Sequence, residues 1–129
     1  MNNFLMIAIG GAAGALSRHG LVNIINHIAH TKWQLGPFPL ATLSVNIIGS
    51  FCIGMLYVLI TERLALHADW RNVTMVGFMG AFTTFSTFSL ETVILLEKGQ
   101  IIVAFAYILS SVLVCVLAAW LAIVLTRMI

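Results

Sequence analysis

Four long apolar runs, parted by the few charges the chain possesses, constrain its fold more than any motif does. They cover residues 4–28, 38–61, 73–96 and 101–126; the second and fourth contain no Asp, Glu, Lys or Arg, the third only Glu91 and the first only Arg18. A helix rising 1.5 Å per residue needs roughly 20 residues to cross a hydrocarbon core about 30 Å thick, and every run exceeds that length. Composition agrees, at 61% hydrophobic and 8% charged over 129 residues, against about 45–50% and about 25% in soluble domains. The mean hydropathy of +1.09 points the same way. The reading is an all-α integral membrane protein: one domain, residues 1–129, with four transmembrane helices and very little outside the bilayer.

Several classes fall away. Disordered chains are polar. Cys52 and Cys115 both lie inside apolar runs, which argues against a disulfide-stapled secreted module. Six basic residues scattered singly make no nucleic-acid patch. Neither a nucleophile–base pair nor a phosphate loop is present, and the histidines avoid the polar cluster described below, so no enzyme is expected. Ala13-Gly14-Ala15 resembles a leader-cleavage site, yet no Lys or Arg precedes Phe4, and the first run is kept as a span. The connections then lie near residues 30–37 and 62–71 and at Lys98-Gly99, with Trp33 and Trp70 beside span ends as interfacial aromatics. His27 and His30 stand three apart, but as exposed residues at a helix end they are not read as metal ligands.

Charge hardly biases orientation. One side of a four-span chain would carry Arg63, Arg71 and Arg127, the other Lys32 and Lys98 with Arg18 closer to it. Such balance is compatible with insertion both ways and an antiparallel homodimer.

With so little extramembrane mass, function must reside in polar groups inside the spans, which are expensive in lipid and face a bundle interior or a wet path. The densest cluster runs from Gly80 to Ser89 and repeats Thr-Phe-Ser at residues 84–86 and 87–89. A three-residue step stacks Phe85 near Phe88, and four-residue spacing puts Thr83, Thr87 and Glu91 on an adjacent stripe. Helix packing alone explains one or two hydroxyls, but five in seven residues interleaved with two Phe ask for more. Gly77 and Gly80 with β-branched Thr83 and Thr84 weaken the helix, so a break is expected near Gly80–Thr83. It would free carbonyls that membrane burial tolerates only against protein or a bound ion, a cation being the obvious candidate.

Helix two adds Asn46, either interhelical glue or an uncharged donor for a passing anion. Helix four adds Tyr107, Ser111 and Cys115 on one stripe, with Ser110 turned elsewhere. Gly10 and Gly14, and Gly49 and Gly54, are read as close-contact faces. Glu91 remains open between proton carrier, partner of Arg18 and hydrogen-bond acceptor. Hydroxyls, an amide and ring edges with their positive rims, without an acidic ring, favour a small anion or polar solute over a cation.

The string Gly77-Phe78-Met79-Gly80-Ala81-Phe82-Thr83-Thr84-Phe85-Ser86-Thr87-Phe88-Ser89, followed by Glu91, resembles the signature of the Fluc (CrcB) fluoride channels. The likeness continues through Gly11-Ala12-Ala13-Gly14 and Arg18 and through Thr42-Leu43-Ser44-Val45-Asn46 and Gly49, over essentially the whole chain. It implies an antiparallel, dual-topology homodimer in the inner or plasma membrane, with two pores that export fluoride passively and so protect the cell. Phe85 and Phe88 would be the ring pair whose edges meet fluoride, and Asn46 the pore asparagine. Ser86, Thr87, Tyr107 and Ser111 would lie along or beside the track, with Arg18, Thr42 and Glu91 at the vestibule. Carbonyls of Gly80 and Thr83 from both subunits would hold a structural sodium ion. Ala41 stands where Gly is usual, and Cys115 where Ser is usual. Two other readings stay beside this one: a proton-coupled antiporter using Glu91, and a scaffold without transport.

Overall fold

Apolar residues face outward as well as inward, as a bilayer requires: Leu16, Leu90, Ile102, Val116 and Trp120 are all exposed on the single chain. The computed structural model describes residues 2–29, 36–64 and 68–129, and every regular element among them is helical. Four helical stretches are long and apolar enough to cross a membrane: Asn3–Ile28, Leu40–Arg63, Asp69–Glu97 and Ile101–Met128. The chain is thus a multi-pass membrane protein. Lys32 and Trp33, expected in the first connection, and His30 beside it lie outside the described residues.

The first span is a single helix, α1 (Asn3–Ile28), begun by Asn2, whose side chain accepts the Phe4 N–H at 3.3 Å. The second is α2 (Leu40–Tyr57), entered from Pro39 and continued by a wider π-wound turn over Val58–Arg63. The third is composite. A short α3 (Ala68–Arg71) leads into a π-wound segment, Asn72–Met79, then one turn, α4 (Gly80–Phe82), and finally α5 (Phe85–Glu97). Its end turns sharply because Gly99 adopts φ +71°, which lets Gly99 and Gln100 donate back to Leu96 and Leu95 at 2.9 Å each. The fourth span, α6 (Ile101–Met128), follows at once.

Two contacts organise the bundle around α2. On one side α1 lies against Asn72–Met79 with almost no side chain between them. A Cβ on Gly10 would strike the Val73 carbonyl, one on Gly14 the Phe78 carbonyl, and one on Gly77 the Ile7 carbonyl. Gly10 and Gly14 therefore form the close-contact face expected of them, while Gly77 is its unexpected counterpart. On the other side α2 packs along α6, Gly54 against Ala119 and Gly49 against Thr83 of the third span. Arg127 holds Glu62 through Nε at 2.9 Å where these two helices end together. One core cluster gathers Leu43, Leu95, Ala104 and Tyr107; another gathers Val45, Met79 and Phe82.

Candidate functional site

The third span loses its helical backbone at two residues. Thr83 (φ −82°, ψ 159°) and Thr84 (φ −148°, ψ 118°) are extended between the end of α4 and the start of α5. Backbone polar groups released at membrane depth need partners within the protein. Asn46 supplies two. Its Oδ1 accepts the Thr84 N–H at 2.9 Å, and its Nδ2 donates to the Thr84 carbonyl at 3.1 Å. A continuous helix would have sent that N–H to the carbonyl of Gly80. Arg18, reaching across from α1, donates through Nη1 to the Thr83 carbonyl at 3.4 Å.

Thr84 also caps α5. Its Oγ1 accepts the Thr87 N–H at 3.2 Å, donates to Thr87 Oγ1 at 2.9 Å and stands 3.3 Å from Ser86 Oγ. Ser89 and Thr83 bond back to the carbonyls of Phe85 and Met79. The stripe expected through Thr83, Thr87 and Glu91 does not run through Thr83, because α5 begins two residues later.

Beside the break lies a groove of about 380 Å³. Asn46 and Ser50 of α2, Phe85 and Phe88 of α5, and Ser111 and Cys115 of α6 line it, together with Thr83 and Thr84. Phe85 and Phe88 meet at 5.3 Å between ring centroids and 44° between planes, and Phe88 meets Tyr107 at 5.2 Å. Phe85 is 77% exposed on the single chain. Ser111 is 8% exposed, and its Oγ is buried without a hydrogen-bond partner.

At the end of the ring row, Glu91 accepts from two hydroxyls, Thr42 Oγ1 at 2.8 Å and Tyr107 Oη at 2.7 Å. Its acidic oxygens are thus held by neutral donors, whereas Arg18 goes to the break. Asn46, Phe85, Phe88 and Ser111 come together in the groove, and Thr42, Glu91 and Tyr107 form the cluster next to it. Ser86 and Thr87 sit on the exposed side of the α5 start, outside the lining, and Gly80 is exposed one turn before the break. Among the described residues no His, Cys, Asp or Glu group could hold a metal ion. Sequence reasoning passed over Ser50, although its place one turn after Asn46 was the signal for it.

An interrupted helix beside a groove that gathers an amide, hydroxyls and a phenyl pair marks the candidate site of this four-span membrane protein. Residues 5–123 match the family described as CrcB-like protein, Camphor Resistance (CrcB), and the chain belongs to that family. It is similar to the "Fluoride-specific ion channel FluC" of Magnetococcus marinus, 47% identical over 95% of this chain and 96% of that one. The protein of the same description from Saccharophagus degradans is 46% identical over 96% of this chain and 89% of the relative. A third, from Hahella chejuensis, is 43% identical over 98% and 96%.

Proposed function

We propose that this protein is a fluoride-selective passive channel that lets fluoride leave the cell. The observation carrying the reading is the coincidence, in one groove, of a helix start at membrane depth with a phenyl pair and unspent hydroxyls. The positive end of the α5 dipole, the ring rims and the O–H groups all favour an anion. No carboxylate lines the groove, since Glu91 stands beside it with both oxygens accepting hydrogen bonds. A small, strongly hydrated anion gains most from such donors, because they replace its water shell at short range. Phe85, Phe88, Asn46 and Ser111 are the proposed lining, with Ser86, Thr87 and Tyr107 beside it and Arg18, Thr42 and Glu91 towards its mouth.

The channel acts as an antiparallel homodimer with two pores in the cytoplasmic or inner membrane. Support comes from polar groups that lipid cannot satisfy: the Gly80 main chain and the Ser86 and Thr87 hydroxyls are exposed near the break. A second copy would cover them. A sodium ion at that junction fits the donors present. Thr84's N–H has turned to Asn46, so the Gly80 carbonyl lacks its helical partner, and the Thr83 carbonyl receives only the long Arg18 contact. Carbonyl oxygens at a helix C-terminal end suit a hard cation. One chain offers only part of a coordination shell, so both subunits would contribute. When bound, sodium would supply positive charge at the dimer centre.

Fluoride efflux from liposomes, read by electrode beside a chloride control, tests the function. The expected result is rapid fluoride loss without chloride movement or a pH gradient, and loss of that flux in Phe85→Ile with the dimer still folded. Efflux that needs a proton gradient, or unchanged flux in Phe85→Ile, overturns the reading of the groove.

A further inference from the structure

Helices α2 and α6 run parallel with a constant register, and that register picks out a residue the pathway has not yet used. Glu62 bonds to Arg127, 65 positions later. Thr42 and Tyr107, separated by the same interval, both donate to Glu91. The offset places Asn46 level with Ser111 and Ser50 level with Cys115, and all four line the groove. Three rungs thus follow one another, each about 6 Å beyond the last at 1.5 Å per residue.

The third rung differs from the others in chemistry. Along α6 the donors are a phenol, a hydroxyl and then a thiol, and S–H is a weak donor. An anion passing the buried, unpartnered Ser111 Oγ would meet no strong donor on α6 at the next turn. A hydroxyl on the facing helix removes that gap, because its O–H rotates freely between the sulfur and an incoming ion.

We propose that Ser50 is a specificity-determining residue of the pathway, the strong donor of a small-anion station that it forms with Ser111 and Cys115. The proposal rests on the groove being the fluoride path.

The test is fluoride efflux from liposomes loaded with the full-length protein, comparing the parent chain, Ser50→Ala, Cys115→Ser and the double variant, with thermal midpoints in detergent for each. Ser50→Ala is expected to slow efflux at least tenfold with its midpoint unchanged, and Ser50→Thr, which restores a hydroxyl, to recover most of it. Made on top of Cys115→Ser, Ser50→Ala is expected to cost less than threefold, since the serine at position 115 then carries the donor. Parent-like efflux in Ser50→Ala, or an equal loss in both backgrounds, overturns this inference while leaving the channel reading intact. A parent chain that moves no fluoride overturns both.

Discussion

The contact of α1 with Asn72–Met79 and the contact of α2 with α6 are helix pairs in the same bundle, yet they are built in opposite ways. The first is closed by glycines and main chain, with Gly10, Gly14 and Gly77 against carbonyls of the facing segment. The second is close-packed at Gly54, but nearer its start it keeps polar side chains on every fourth residue of both helices, one of them buried without a partner. Lipid gives helices no hydrophobic reason to associate, so close approach must supply the attraction. Where α1 meets Asn72–Met79, the contact is this close approach of main chain. Where α2 meets α6, part of it is given up to keep donors on the groove. The first pair holds the bundle together, and the second, with the break, leaves it something to transport.

Gly14→Val should break the dry contact most severely. The added side chain meets the Phe78 carbonyl, which is backbone and cannot turn aside as a flexible side chain would. Overpacking typically costs about 1–3 kcal/mol, and the rigid obstacle puts this variant at or above the upper end. Recovery of folded protein by size-exclusion chromatography is expected to collapse. A folded Gly14→Val with the parent midpoint would mean that this interface is looser than its glycines imply.

Asn46→Leu strikes the polar side. It strands the N–H and the carbonyl of Thr84, each worth about 1–3 kcal/mol when buried without a partner. Thermal unfolding should show a clear loss, and fluoride flux should fall with it. Flux lost at an unchanged midpoint would make Asn46 a pore donor and not the clamp on the break. Tyr107→Phe is milder: Glu91 keeps Thr42 but loses its second donor, a hydrogen bond worth about 0.5–1.5 kcal/mol. The packing of Phe38 and Phe88 on the ring survives. A midpoint shift larger than that of Asn46→Leu would invert the ranking of the two polar sites.

What the sequence could disclose follows from the range of the interactions. The four spanning helices and the nearness of Phe85 to Phe88 are local consequences of apolar length and three-residue spacing, and both are read directly. The partners of Glu91 are not, because Thr42 lies 49 positions away and Tyr107 sixteen; pairing with Arg18 was equally open until the fold sent Arg18 to Thr83. Asn46 invited reading as a free amide donor, whereas one N–H and its oxygen are engaged by a backbone that only a non-helical Thr84 presents. The π-wound course of Asn72–Met79 has no hydropathy signature. It coincides with the main-chain contact with α1, which only the fold brings about. Ser50 is one serine among apolar neighbours, and it acquires meaning only from the register of α2 on α6.

Gly20 supplies the smallest effect and the cleanest control. It lies six positions after Gly14 on the same helix, but a Cβ there would meet nothing within 4 Å. Glycine inside a helix is less favourable than alanine by roughly 0.5–1 kcal/mol, chiefly because it frees the unfolded chain. Gly20→Ala should therefore raise the thermal midpoint slightly and leave fluoride flux alone, while Gly14→Val abolishes folding. Opposite signs for two glycines of one helix would tie the cost to the facing backbone and not to helix propensity. Destabilisation by Gly20→Ala would instead place a neighbour against that face, and a second copy of the chain would be the first candidate.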